Sequence, residues 1–245
     1  MHSWEKWAIF LFGILVFGLL LVLKIVNPGT YHRIIQEDGA LESIQVAAYL
    51  VSSLLAWRVA TTRSGPSQGL VRGAYQGLAF GLLLVALEEI NWGQRLLGIA
   101  TPEWFQQNSS QGEINIHNLH PVQRILHPVY ITVGFVGGLS WLARPLGLAD
   151  RSAFVRAVVT EWYTAIYFLL CSFTYLGLEL ARVLSVRFGI AFFRLDDFFV
   201  WRDQEVGETM LAMGFLMFLA TKLVEEARPA RRGLRPDAGE QRGWA

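Results

Sequence analysis

The chain has few of the residues that keep a folded protein in water or cross-link a small one. Only 17% of its 245 residues are charged, against roughly 25% in an average soluble domain. Cys171 is the only cysteine, which excludes an intrachain disulfide and a metal site built from several cysteines. The net charge of +1 provides no basic footprint for nucleic acid. We therefore expect neither a disulfide scaffold nor a nucleic-acid partner.

Common catalytic signatures are also missing. The sequence contains no nucleotide-binding glycine loop, no Gly-x-Ser-x-Gly nucleophile elbow and no His-Glu-x-x-His zinc motif. Any chemistry has to come from a less familiar arrangement of side chains.

Long apolar runs are the dominant positive feature. The chain is 53% hydrophobic, and a membrane-spanning helix needs about 20 mostly apolar residues. Six stretches qualify, at roughly 7–26, 41–60, 73–97, 125–143, 158–184 and 205–224. The first lacks a small-residue cleavage site, so we interpret it as an uncleaved anchor. The sequence predicts an all-α bundle of six transmembrane spans over residues 1–226, and a disordered basic cytoplasmic tail over 227–245.

Basic residues indicate the orientation of the six spans. With the N-terminus inside, the inner segments and span ends carry 13 lysines and arginines, and the outer ones carry 8. Positive residues concentrate on the cytoplasmic side of membrane proteins. The sequence therefore predicts an inner-membrane protein of a bacterium with both termini in the cytoplasm. A polar loop on the outer face then joins spans three and four.

Acidic residues and histidines concentrate on the predicted outer side. Thirteen of the 20 acids and four of the five histidines fall there. Loop acids can simply be solvated, which is the plain structural interpretation. Acids inside apolar helices need more explanation, because ionisable groups at membrane depth are costly and usually face a partner or a cavity.

The third span ends in the segment Glu-Glu-Ile-Asn-Trp-Gly-Gln-Arg. If the helix continues, Glu88, Asn91, Trp92 and Arg95 share one face, and Glu89 points about a quarter-turn away. The two adjacent carboxylates then need different partners, one of them an arginine. We expect Glu88, Glu89 and Arg95 to be catalytic candidates, and the alternative is a buried structural ion-pair network.

The following loop carries a second motif, Gln-Gly-Glu-Ile-Asn-Ile-His-Asn. Glu113 and His117 lie on one side of an extended segment, and on a helix they lie one turn apart. Either geometry lets a carboxylate meet an imidazole. Together with Glu89 and His120, they could supply the nitrogen and oxygen ligands that suit zinc, iron or manganese.

These motifs together resemble a family of bacterial membrane proteins with several spans. The resemblance runs from Glu37-Asp38-Gly39 to Asn118, about a third of the chain, and includes the acids that open the last helix. It implies a multi-span membrane protein but no activity. The further polar-site residues that we identify are Glu42, Trp92, Gln94, Asn115, Asn118, Glu205 and Glu208.

Three classes of function are compatible with the sequence. The first is a hydrolase or transferase with an outer site that acts on a lipid-linked or amphiphilic substrate. In this enzyme His117 and Glu113 are metal ligands, and Glu89 is a ligand or the general base. Arg95 is the electrostatic partner of developing or phosphate charge. The second is a transporter with Glu88 and Glu89 as a proton or cation site. The third is a non-catalytic subunit that binds a protein partner in the membrane. Membrane lipids are expected partners in every case.

Overall fold

The structure is a computed structural model that describes residues 1–63, 68–189 and 200–232; at residues 95, 96, 201 and 227–232 it describes the backbone only. Six helices are long and apolar enough to cross a membrane, which confirms the six predicted spans at this level. They are α1 (Ser3–Val26), α3 (Ala40–Thr62), α4 (Gly69–Glu89), α7 (His120–Leu139), α10 (Trp162–Phe188) and α11 (Gln204–Arg232). Shorter helices lie in the connections: α2 (Pro28–Ile35), α5 (Gln94–Leu97), α6 (Glu103–Asn108), α8 (Leu148–Arg151) and α9 (Ala153–Val158).

The predicted bounds agree with the helices to within a few residues except at two places. The third span was expected to continue to residue 97, but α4 ends at Glu89. The last helix, α11, continues to Arg232, past residue 227, where the tail was predicted to begin. The rest of that tail, residues 233–245, lies outside the described ranges.

Successive long helices alternate in direction, which gives the bundle two ends. The contacts between α7 and α10 illustrate this: His127 meets Glu179 near one end, and Thr160 donates to the Gly137 carbonyl near the other. We call them the Glu89 end, where α4 finishes and α3, α7 and α11 begin, and the Glu161 end, where α3 finishes and α4 and α10 begin.

Helix α11 lies at the centre of the bundle and α1 at its edge. In the most apolar window of α11, 67% of the residues are buried, against 6% in α1. Helix α11 packs on α3 and α10, and α10 packs in turn on α7. Small residues allow the close approach of α7 and α10, because a Cβ at Gly134 would lie 2.6 Å from the Phe168 carbonyl oxygen. The side chains of α11 at the Glu89 end are therefore held from several sides.

Polar side chains close both ends of the bundle. At the Glu161 end, Arg144 pairs with Glu161 and Arg63 with Glu226. At the Glu89 end, Asp203 pairs with Lys24 and accepts a hydrogen bond of 2.6 Å from the Tyr31 hydroxyl. This second contact joins the end of α1, helix α2 and the start of α11.

Candidate functional site

The helix that carries the paired glutamates ends at the second of them. Three residues beyond Glu89 adopt positive φ angles: Asn91 at 50°, Trp92 at 54° and Gly93 at 76°. Only glycine enters this region without crowding of its Cβ against the backbone. A turn with two non-glycine residues in this conformation needs compensating contacts. We refer to it as the Asn91–Gly93 turn.

This turn overturns one expectation from the sequence. The prediction that Glu88, Asn91, Trp92 and Arg95 share one helix face is wrong, because helical spacing does not continue through the turn. Trp92 still reaches Glu88, and its indole Nε1 donates to Oε1 at 2.7 Å. The side chain of Arg95 lies outside the described part of the chain, and its catalytic role stays a prediction.

Glu88 holds the loop that follows the turn. Its Oε2 accepts hydrogen bonds from the backbone N–H groups of Ile116, at 2.6 Å, and His117, at 3.0 Å. Only 15% of the Glu88 side chain is exposed. Hydrogen bonds to an ionised acceptor are among the stronger ones in proteins, so this carboxylate fixes where His117 lies.

The amide side chains of the two sequence motifs hold each other. Asn91 Nδ2 donates to Glu113 Oε2 at 2.7 Å, and Asn91 Oδ1 accepts from Asn115 Nδ2. Gln94 Oε1 accepts from the backbone N–H of Ile114 at 2.7 Å. The first motif thus supplies partners for the second, and the loop is tied to the end of α4.

The second motif also closes on itself. The Asn118 N–H donates to Asn115 Oδ1 at 3.2 Å, and the Asn118 side-chain amide donates to Gln111. Both asparagines are buried, where an unpaired polar group would be costly. These residues, which we predicted to belong to a polar site, stabilise the loop.

His117 is the histidine that contacts Glu88. Its Nδ1 lies 3.4 Å from Glu88 Oε2, and 32% of the side chain is exposed. Burial by itself lowers the pKa of the imidazole, but the hydrogen bond to Glu88 and the nearby Glu89 carboxylate outweigh it. The pKa of His117 is therefore raised above its ordinary value.

A cleft of about 620 Å³ opens at the Glu89 end between α4, α7, α10 and α11. It brings together six of the residues identified from the sequence and several that were not. The identified residues among its lining are Glu89, His117, Asn118, His120, Glu205 and Glu208, and the others include Tyr130 and Tyr175. His120 is exposed at the first residue of α7.

Glu89 differs from its neighbour Glu88 in having a carboxylate that is not used by the fold. Within the described ranges it accepts no hydrogen bond, and it interacts electrostatically with His117, Glu205 and Glu42. The two carboxylates have different surroundings, as we expected, and the pairing of one of them with an arginine stays a prediction. Glu88 belongs to the loop and Glu89 to the cleft.

The acids of α11 complete the cleft. Glu208 is only 8% exposed and accepts a hydrogen bond from the Tyr175 hydroxyl. Glu205 Oε2 accepts from Gln45 Nε2 at 3.1 Å. Glu42 is half-buried, accepts from the Asp38 N–H at 2.7 Å and faces the same acids electrostatically.

Sequence reasoning missed the aromatic and amide part of the site. Tyr130, Tyr175 and Gln45 were not identified, and neither was the contact of His127 with Glu179, 2.5 Å from Nδ1 to Oε1. The available signal was spacing, because Tyr175 and Glu179 are four residues apart and share a helix face. Nothing in the sequence indicated that this face meets α7 and α11.

Metal binding is a separate question. In the part of the chain that the structure describes, no group of three or more histidine, cysteine, aspartate or glutamate side chains is arranged to hold a metal ion. A protonated imidazole cannot bind a metal, and the raised pKa of His117 favours the protonated form. Binding of zinc, iron or manganese by His117, Glu113, Glu89 and His120 stays a prediction.

Comparisons of the chain with models of protein families, with curated proteins and with solved structures found no match. The geometry of the cleft is therefore the basis for inferring the function.

The role of Glu88 predicts a loss of stability on substitution. Glu88→Gln places an amide where two backbone N–H groups need an acceptor, and we expect the free energy of unfolding in detergent to fall by about 1–3 kcal/mol. Glu103→Gln is the matched control, because Glu103 is exposed on α6; we expect a change within about 0.5 kcal/mol. Equal melting temperatures for the two variants would contradict the structural role of Glu88.

The His117–Glu88 pair should make the stability of the protein depend on pH. Because the folded pKa of His117 is raised, its contribution to stability is complete below the unfolded value of about 6.5 and is lost as pH rises through the folded pKa. We expect Glu88→Gln to reduce this part of the pH dependence. Melting curves at pH values from below 6.5 upward measure it, and a pair that gains stability with rising pH would oppose the assignment.

Proposed function

We propose that the cleft binds the polar group of an amphiphilic membrane molecule and converts it by acid–base chemistry. The observation that carries this proposal is the free Glu89 carboxylate, which lines the cleft beside His117 and the Glu205 and Glu208 pair of α11. Carboxylates and imidazoles that face a cavity are the usual groups for proton transfer. The cleft lies at the end of six apolar helices, where a molecule can reach it from a membrane.

Each side chain has a role in the proposal. Glu89 acts as the general base, because no hydrogen bond from the fold occupies its oxygens. Glu208 accepts a hydrogen bond from the Tyr175 hydroxyl. It acts as the general acid, which donates a proton to the substrate. His117 is the electrostatic partner of charge that develops in the substrate. Arg95 is assigned a similar role from the sequence alone.

The interior of the bundle supports an enzyme over a transporter. Between Thr209 and Thr221 the buried side chains of α11 are apolar, including Met210, Leu211, Ala212 and Leu219. A carrier needs polar groups at successive depths to pass an ion. The cleft therefore fits a site that is served from one end. The next experiment distinguishes this enzyme from a protein that only binds a partner in the membrane.

Incubation of the purified protein with a total polar lipid extract of its own membranes tests the proposal. Mass spectrometry of the lipids should show that the wild type depletes at least one amphiphile. We expect Glu89→Gln and Glu208→Gln to slow this conversion by roughly 10²–10⁴-fold, the usual effect of a lost general acid or base. Glu103→Gln should convert at the wild-type rate.

The variants also need to fold for this comparison. Melting temperatures close to that of the wild type establish this for Glu89→Gln, because its carboxylate makes no hydrogen bond in the described part of the chain. An identical lipid profile for the wild type and the Glu89→Gln protein would reject the enzyme and favour the non-catalytic subunit.

We further propose that the Glu89 end faces the outside of a bacterial inner membrane and that both termini are cytoplasmic. The support is the distribution of 13 inner and 8 outer basic residues. Reporter fusions after Arg63, after Arg151 and at the C-terminus should report cytoplasm. A fusion near Gln107, in α6, should report periplasm, and so should one near Phe192, which lies outside the described residues. A periplasmic C-terminus would reverse the assignment.

A metal-dependent form of the reaction has one observation in its favour. Glu89 and His117, a carboxylate and an imidazole, lie in electrostatic contact at the cleft, and such mixed ligands suit zinc, iron or manganese. Elemental analysis of tag-free protein should find about one such metal per chain, lost in His117→Ala and Glu113→Gln. Binding should also weaken as pH falls and His117 protonates. Well under one metal per chain, even after addition of metal at neutral pH, would exclude this form.

A further inference from the structure

The acids in the cleft are not balanced by the cations around it. Arg182 is bound to Glu179 at 2.7 Å, and Arg202 is bound to Glu37 at 2.7 Å. Each arginine thus forms its ion pair with an acid outside α11, and Arg202 also lies near Glu205. The remaining arginine of the lining, Arg124, is exposed.

His117 is the cation nearest to the buried acids, and its Nδ1 is directed at Glu88. Glu89 and Glu208 thus face the cavity with His117 as a cationic neighbour, while Glu205 also lies near Arg202. A cationic ligand is the chemical complement of this wall of the cleft.

Aromatic side chains lie beside these acids, and the Tyr175 hydroxyl donates to Glu208. Tyr130 stacks on Tyr175 with ring centroids 4.6 Å apart and planes 5° apart, and the His127 ring meets Tyr175 edge-on at 5.0 Å. Both tyrosines line the cleft. The face of an aromatic ring attracts a cation, most strongly where water is excluded, and such faces are a usual means of binding quaternary ammonium groups.

A buried acceptor without a partner supports the same class of ligand. Gln45 is fully buried, and its Nε2 donates to Glu205 Oε2 and to the Thr209 hydroxyl, both at 3.1 Å. The Oε1 atom of the same carboxamide has no hydrogen-bond partner among the residues that the structure describes. An acceptor left unpaired beside two carboxylates adds to the negative potential that a positively charged ligand would relieve.

The kind of cation follows from the spacing of the acids. Since the described residues hold no cluster of three ligands for a metal ion, a compact ion is poorly matched to this wall. An ammonium group is larger, needs no close set of ligands and uses aromatic faces as well as carboxylates. The cavity of about 620 Å³ has room for such a group.

A place for a hydrocarbon chain adjoins the cleft. A groove of about 360 Å³ is lined by residues of the same four helices, nearer the Glu161 end, among them Leu78, Val136 and Phe215. Val136 is 64% exposed, so the groove opens sideways. From Glu208 to Phe215 along α11 is seven residues, about 10 Å, which is within one leaflet of a hydrocarbon core about 30 Å thick.

The groove offers no polar group to its occupant. Its hydroxyls bond inside the protein, since Thr132 donates to the Pro128 carbonyl and Thr160 to the Gly137 carbonyl, each at 2.7 Å. Tyr130 of the cleft and Val133 of the groove are three residues apart on α7, so the two cavities adjoin on one helix. A chain attached to a head group in the cleft can therefore continue into the groove.

We infer that the substrate or ligand of the cleft is a cationic amphiphile. Its ammonium head group lies between Tyr130 and the acids Glu89, Glu205 and Glu208, and its hydrocarbon chain lies in the groove between α4 and α7. This inference rests on the proposed function, for which it specifies the chemical class of the molecule bound.

Native mass spectrometry of the protein released from dodecyl maltoside can count bound amphiphiles. The probe is dodecyltrimethylammonium; dodecanoate has the same number of chain carbons with an anionic head, and tetramethylammonium has the head without the chain. We expect saturable binding of one dodecyltrimethylammonium per chain and at least tenfold weaker binding of the other two. Equal binding of dodecanoate, or no saturable binding of dodecyltrimethylammonium, would overturn the inference.

Variants assign the contacts. We expect Tyr130→Leu and Glu208→Gln each to weaken binding about tenfold, in line with a desolvated cation–π contact or a lost charge. Tyr130→Phe retains the aromatic face and should bind like the wild type. Val136→Trp, which fills the groove, should weaken binding of the dodecyl compound. Glu103→Gln should leave all of these values unchanged.

The binding assay and the lipid conversion assay fail independently. If Glu89→Gln abolishes lipid conversion but the wild type does not bind dodecyltrimethylammonium, the enzyme stands and the inference of a cationic substrate is wrong. If dodecyltrimethylammonium binds as expected and no lipid is converted, the inference stands and the cleft is a binding site without chemistry.

Discussion

The site depends on one carboxylate that accepts two consecutive backbone N–H groups. Glu88 lies on the last turn of α4, and its Oε2 binds the amides of Ile116 and His117. Without this acceptor, two backbone donors lose their partner, and the loop loses the contact that sets the position of His117. The hydrogen bonds of Asn91 with Asn115 and of Gln94 with Ile114 also hold the loop in place. The loop is thus a fixed wall of the cleft.

The end of α4 separates two neighbouring glutamates into different roles. The Asn91–Gly93 turn folds the following segment back over Glu88, while Glu89 faces the cleft. Strained backbone of this kind persists where surrounding contacts determine it, and it often marks functional sites. In this protein the contacts that determine it are those of Trp92 and Asn91. The consequence is one carboxylate used by the fold and one left for a ligand.

Six long apolar helices imply a membrane as the surroundings of the bundle, and this explains where its polar groups lie. In hydrocarbon, an unsatisfied polar group is costly, so the bundle keeps its ionisable side chains at the two ends and satisfies most of them there. At the Glu161 end they pair with each other. At the Glu89 end the acids Glu89, Glu205 and Glu208 line a cavity together with Tyr130 and Tyr175. The second end is the one with unused binding capacity.

The sequence alone determined the six helices, because long apolar runs are a local property and the membrane-length rule needs no partner. It also indicated that Glu88 and Glu89 have different partners. It did not determine where α4 ends, since the left-handed turn is stabilised by Glu113 and Asn115, more than twenty residues later. Only the tertiary structure decided that Tyr130, Tyr175 and Gln45 meet the acids of α11. The spacing of residues along one helix shows which of them share a face, but it does not show which other helices that face packs against.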